Sequence, residues 1–92
     1  MKKIVLNDIE YEVVKDPHKV FSETETSEKC TDYFIPFDYI LGDYAYDKLR
    51  LKGFYAETHP KVSKINNIKG LDTYIKNYCA YGAKYFLLKK IK

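Results

Sequence analysis

The chain has no tryptophan, one methionine, two cysteines and two histidines among its 92 residues. Two cysteines, Cys30 and Cys79, cannot build the disulfide framework that small secreted domains rely on. No apolar run approaches the roughly 18 residues of a membrane helix. Met1-Lys2-Lys3 leads straight into Ile4-Val5-Leu6, too short for the apolar core of a secretory signal. A cytoplasmic protein with reduced thiols and no membrane association is the expectation. The phosphate-binding, dinucleotide-binding and H-E-x-x-H motifs are missing. His18 and His59 each adjoin a proline, and the cysteines form no C-x-x-C pair, so no four-ligand zinc spacing is offered. A Cys79 nucleophile with His59 as base is conceivable on paper, but Cys79 falls on an apolar helical stripe, where a small buried side chain is the simpler reading. Cys30 reads the same way. The expectation is therefore a non-enzymatic protein with no metal and no cofactor.

What the chain does have is tyrosine, in ten copies, and an uneven distribution of charge. Residues 1–46 carry five lysines against ten acids, and residues 47–92 carry eleven Lys or Arg against three. Tyrosine combines a large apolar body with a polar tip and suits half-buried sheet faces and binding surfaces. A basic half can present a cationic face despite a net charge of only +3. Acidic and basic halves can equally neutralise one another within the fold. The length allows one domain, 1–92, with a modest core.

Residues 3–6 and 9–14 read as a hairpin around Asn7-Asp8, residue types that tolerate positive φ. Asp16-Pro17 ends the second strand. Ser22 with Glu25 fits a capping box, and Thr26, Cys30, Tyr33 and Phe34 share one face of a helix over about 23–34. Pro36 should stop it by displacing Ile35 from the α region. Phe37, Tyr39 and Leu41 alternate as a strand, residues 42–47 form a Tyr-rich turn, and residues 48–55 form the return strand. Gly53 within that strand signals a bulge or a close approach. Residues 56–69 form a long connection with room for a short strand at 61–65. Leu71, Tyr74, Ile75, Tyr78 and Cys79 recur at helical spacing, with Asp72 near the N-terminus and Gly82 as a stop. Residues 84–91 close as a strand. The fold class is α+β: an N-terminal hairpin followed by a βαββαβ-like arrangement, an antiparallel sheet with two helices. A ferredoxin-like sheet with both helices on one face is the nearest pattern.

Alternation places Leu49 and Leu51 on one side of the return strand and Arg50, Lys52 and Phe54 on the other. Lys84, Phe86, Leu88 and Lys90 alternate on the last strand. Cations neutralise phosphates and exposed aromatics stack on bases. Lys52-Gly53-Phe54 also matches the opening of an RNA-binding RNP1 motif, although Tyr55 breaks the match. The functional expectation is an RNA or ribonucleoprotein-binding module, with Arg50, Lys52, Lys84 and Lys90 on phosphates and Phe54, Tyr44 or Tyr46 stacking. The alternative is a protein-interaction adaptor or homodimer using the turn 42–47. Asp38, Asp43 and Asp47 flank that turn, and turn capping accounts for them better than a metal cluster does.

The stretch Phe37-Asp38-Tyr39-Ile40-Leu41-Gly42-Asp43-Tyr44 through Leu49-Arg50-Leu51-Lys52-Gly53-Phe54-Tyr55 resembles the signature of the YutD-like family, small proteins of low-GC Gram-positive bacteria. The segments Ile9 to Lys15, Leu71 to Gly82 and Tyr85-Phe86 resemble the family as well. Tyr44 stands where the family carries Trp, and Gly70 where a capping Ser or Thr is usual. Asp38, Gly42, Asp43, Tyr46, Arg50, Lys52 and Gly53 match the signature one by one. The resemblance implies kinship and brings no established activity.

Overall fold

A computed structural model of the chain describes residues 2–45, 48–78 and 84–91. Strands β1 (Lys2–Leu6) and β2 (Ile9–Lys15) form the expected hairpin. Its turn residues Asn7 and Asp8 take φ of 53° and 62°, the pair of positive values that matches the twist of the flanking strands. Asp16 then closes a tight loop, its carboxylate accepting from the Val20 and Phe21 amides at 2.9 and 3.3 Å. Helix α1 (Glu23–Lys29) starts at Ser22, whose hydroxyl accepts from the Glu25 amide.

Helix α1 stops well short of Phe34. Cys30 is its extended C-cap, and a separate 3-10 turn covers Asp32–Phe34. Ile35 keeps α-region angles in spite of Pro36, so the proline is not what ends the helix. The break follows the buried face. Thr26 and Cys30 are buried, whereas Tyr33 is 69% exposed, so one more helical turn would have gained little burial. The Asn7 side-chain amide donates to the Cys30 carbonyl at 2.8 Å, tying the first hairpin to the end of the helix.

Strand β3 (Tyr39–Ala45) pairs with β4 (Lys48–Phe54) from Tyr39↔Phe54 to Ala45↔Lys48. The turn expected over 42–47 is therefore mostly strand: Gly42, Asp43 and Tyr44 lie in β3. Tyr46 and Asp47 lie outside the described residues, as do Cys79 and Gly82. No strand forms at 61–65. The connection returns through a single parallel bridge, Tyr55↔Asn67. A 3-10 turn (Ile68–Gly70), capped by the Asn67 side chain, runs directly into α2 (Leu71–Tyr78). Asn67 thus supplies the cap that Gly70 cannot.

The five strands, ending with β5 (Tyr85–Lys90), form one antiparallel sheet in the order β1-β2-β5-β3-β4. The α+β class and the element order are as expected, but this strand order is not ferredoxin-like. The last strand sits in the middle of the sheet, and no neighbouring pair is parallel. The helices also take opposite faces. Ile4, Leu6, Tyr11, Ile40, Leu49, Phe86 and Leu88 pack on the face that carries α1 and Cys30. Leu41, Phe54 and Leu87 pack on the other face with Leu71, Tyr74 and Ile75 of α2. The central strand β5 is therefore buried on both sides, with Phe86, Leu87 and Leu88 all at or below 4% exposure, the pattern of a strand enclosed between two layers.

Two glycines make the first face possible. A Cβ on Gly42 would lie 2.2 Å from Phe86 Cζ, and one on Gly53 would lie 2.3 Å from Phe37 Cγ. Each ring lies flat against a glycine, so Gly53 marks a close approach and not a bulge. The register passes through it unbroken, and the irregularity in the sheet falls instead between Val13 and Lys15 of β2.

Gly42→Ala should cost about 1–3 kcal/mol by overpacking against the fully buried Phe86 ring. In Phe86→Leu the same glycine substitution should cost markedly less, because the two sites share one space. Urea-unfolding midpoints of the four proteins check this, and additive effects would refute it. Burial, with Cys30 as a second cause, pushes the Tyr11 phenol up to about 12. The folded state then holds a proton that the unfolded chain releases near pH 10. Tyr11 adds no pH dependence below pH 10, and stability falls by about 1.4 kcal/mol per pH unit between 10 and 12. In Tyr11→Phe the slope of unfolding free energy against pH should lessen by that amount in that window.

Candidate functional site at the open edge of the sheet

The signature residues of the hairpin serve mainly to hold it. Gly42 and Gly53 make room for Phe86 and Phe37. Asp38 sits just before β3, its carboxylate accepting from the Ala56 amide at 2.8 Å and its carbonyl from the Lys90 amide. It thereby joins the start of β3, the exit of β4 and the end of β5. Asp43 and Arg50 are cross-strand partners. The Arg50 guanidinium meets the Asp43 carboxylate at 2.5 Å, with the carboxylate side chain 5% exposed and the arginine 49%. A nearly buried carboxylate requires such a charged donor. Among the described residues no group of three His, Cys, Asp or Glu is placed to hold a metal ion.

The expected basic aromatic face does not assemble. Arg50, Lys52 and Phe54 do share a face of β4, but Phe54 is 1% exposed beneath an edge-on contact with Tyr74 of α2. A ring so covered cannot stack on a base. Lys52 is half-buried, with its ammonium 5.7 Å from the centre of the Phe54 ring. The second row fails too, since Phe86 and Leu88 are core. Lys90 follows their register onto the opposite face from Lys52, and its ammonium donates to the Ile35 carbonyl. Lys84 is exposed just ahead of β5. Tyr44 is half-buried, and its hydroxyl donates to the Val20 carbonyl. Burial and the carboxylates of Glu25 and Asp16 raise its pKa. The acidic and basic halves also meet inside the sheet, where Glu12 lies between Lys3 on β1 and Lys89 on β5.

What remains open is an edge and a cleft beside it. Strand β4 is an outer strand of the sheet, and over 48–54 its only strand partner among the described residues is β3. Beside it, on the α2 face, a cleft of about 510 Å³ lies between β4, residues 64–67 and α2. Phe54, Tyr74 and Ile65 give it an apolar lining, with Asn67, Thr73 and Asn77 as polar groups and Lys52 and Lys64 as charges. Ile65 is 77% exposed, the most exposed large hydrophobic residue described. An open apolar cleft with a few convergent polar groups has the make-up of a binding site. A smaller hollow of about 320 Å³ lies just past the exit of β4, near Asp38, His59 and Lys89. Neither Lys64 nor Ile65 is a site candidate from the sequence, because both stand in a connection without periodicity.

The chain is thus an antiparallel sheet with one helix on each face and cations along its outer strand β4. The family model described as "Putative antitoxin YutD-like" matches residues 5–89, and the chain belongs to the YutD-like family. It is 37% identical over 89 residues to a Bacillus subtilis (strain 168) protein named "Putative antitoxin YutD", an alignment covering 97% of this chain and 98% of that one. The solution NMR structure of protein yutD from B. subtilis matches with a TM-score of 0.81 at 36% identity, over 100% of this chain and 84% of that one.

Arg50→Met should destabilise the fold by about 1.5–3 kcal/mol, the range for hydrogen bonds to charged groups. Asp43→Asn should relieve much of that loss when added to it, because a neutral amide tolerates burial without a cation. Chemical denaturation of the double-mutant cycle checks this. A coupling energy near zero would mean that the pair holds nothing.

Proposed function

We propose that this chain is a non-catalytic protein-binding module of the antitoxin type, which engages its partner along the β4 edge and the adjoining α2 cleft. The support is the juxtaposition of an outer strand, with β3 its only strand neighbour among the described residues, and an open apolar cleft on the same flank. Exposed strand edges pair with other chains, and large apolar side chains beside them anchor the contact. The B. subtilis relative is named a putative antitoxin, a name that implies a toxin as its counterpart. The cations of β4 also keep such an edge from pairing with its own copies, so the partner is a different molecule. Residues 42–44 of the expected turn are the poorer contact, because Gly42 and Asp43 are buried and Tyr44 is turned to Val20. RNA binding is the weaker reading, with Arg50 and Lys52 on one face, Lys90 on the other and Phe54 covered.

Deleting the gene in its host should arrest growth, and suppressor mutations should concentrate in one other gene whose product co-purifies with this chain as a stable complex. Unimpaired growth of the deletion strain would overturn the antitoxin reading. Filter binding of mixed RNA by the purified chain, weakening steeply as salt is raised, would restore the RNA reading in its place.

A further inference from the structure

Resting on the protein-binding reading, we propose that the partner contributes an extended segment of the pattern acidic–any–apolar–any–acidic. It adds to β4 as a sixth strand and seats its apolar side chain in the α2 cleft. Three features of the site converge on that pattern. The first is the backbone. Strand β4, Lys48–Phe54, has no second strand neighbour among the described residues, and the edge on offer ends at Phe54, because Tyr55 is already bonded to Asn66 and Ile68. An added strand satisfies the outward-facing peptide groups, those of alternate residues, by main-chain hydrogen bonds, as in other strand-addition complexes.

The second is the spacing. Side chains of an added strand alternate between the two faces, so those at every second position lie on the α2 face. On that face β4 presents Arg50, Lys52 and Phe54 in sequence, and Phe54 forms part of the cleft. An apolar side chain entering beside Phe54, Tyr74 and Ile65 therefore has its i±2 neighbours on the same side, within reach of the lysines. The third is the charge. Lys52 and Lys64 are the charged residues of the cleft lining, and no acid is among them. Lys48 extends the same sign along the strand, Arg50 is paired with Asp43, and Glu57 is engaged by Lys69 at 2.7 Å.

Charge also decides against a second copy of this chain pairing β4 to β4, since Lys48, Arg50 and Lys52 would then face their own kind. Nor does the acidic helix of a second copy suit the site as well. Glu25 and Glu28 already lie beside Lys48 and Lys29 on their own molecule, and a helix leaves the edge unpaired.

The test is a titration of the full-length, isotopically labelled chain with a capped heptapeptide, Thr-Glu-Thr-Leu-Thr-Glu-Thr, followed by NMR. The expected result is amide shifts confined to β4, residues 64–67 and α2, with saturation in the sub-millimolar range at low salt. Replacing both peptide glutamates by lysine should abolish binding. Lys64→Glu and Ile65→Asp, both exposed and harmless to the core, should each weaken it at least 10-fold. Absence of shifts at 5 mM peptide would overturn the inference, as would equal binding of the lysine peptide or shifts centred on β1. Concentration-dependent broadening of the free chain at the same residues would also overturn it, in favour of self-association. A single-stranded RNA oligonucleotide that shifts the same amides more strongly than the peptide would assign the cleft to nucleic acid and overturn it as well. The growth and suppressor experiment does not depend on the cleft. A confirmed toxic partner that leaves these amides unchanged would preserve the antitoxin reading and refute this one.

Discussion

The contact on which the architecture depends is an aromatic ring lying flat on a glycine. Phe86 occupies the space above Gly42, and Phe37 the space above Gly53. The first contact joins β5 to β3, and the second brings the segment before β3 down onto β4. Any side chain at either glycine would lift a ring that has nowhere to go, because protein interiors are packed to the density of organic crystals. The rings in turn organise what surrounds them. Phe21 meets Phe86 edge-on at 5.0 Å, and Phe37 leads through Tyr55 to a stacked His59. The aromatic wealth of the chain is thus used largely for packing around two points where the backbone is bare.

With the first face committed to those rings and α1, and the second to α2, neither face of the sheet is left as a broad binding platform. Chemistry that would sit on a face in an open-sheet protein is displaced to the flank. There β4 ends the sheet, and α2 overhangs it just far enough to leave a cleft. The Asp43–Arg50 pair belongs to this division. It turns one of the cations of the edge strand inward as a structural partner and leaves Lys48, Lys52 and Lys64 to set the charge of the flank. Basic residues guarding an edge strand are a general defence against self-pairing. The same residues, beside an apolar cleft, are what the proposed acidic segment would meet.

The elements were legible where chemistry is local. Asn7-Asp8 announced the first turn, Ser22 and Glu25 the start of α1, and the spacing of Leu71, Tyr74 and Ile75 the second helix. The sequence carries α1 too far, because Tyr33 and Phe34 continue a helical stripe, yet Tyr33 lies exposed and Phe34 reaches the core from a separate 3-10 turn. The strand that extends through Gly42 and Tyr44 reads as a turn in sequence, since a glycine beside tyrosines and aspartates looks like a loop until a ring is seen covering it. Alternation along β4 was correct in assigning Arg50, Lys52 and Phe54 to one face. It carries no information on whether a helix covers that face.

The sequence by itself determined the α+β class, the order of its elements, the first hairpin and, through the 37–55 signature, its family. Those follow from turn residues, caps and periodicity, all of which act over a few residues. Only the tertiary structure decided the strand order, the placing of the helices on opposite faces and the burial of Phe54. Each of these depends on contacts between segments far apart in the chain, and no local pattern encodes them. The Phe37–Tyr55 hairpin consequently does two things at once: Gly42, Gly53, Asp38 and Asp43 secure the sheet, and Lys48 and Lys52 stand on one of its two outer strands.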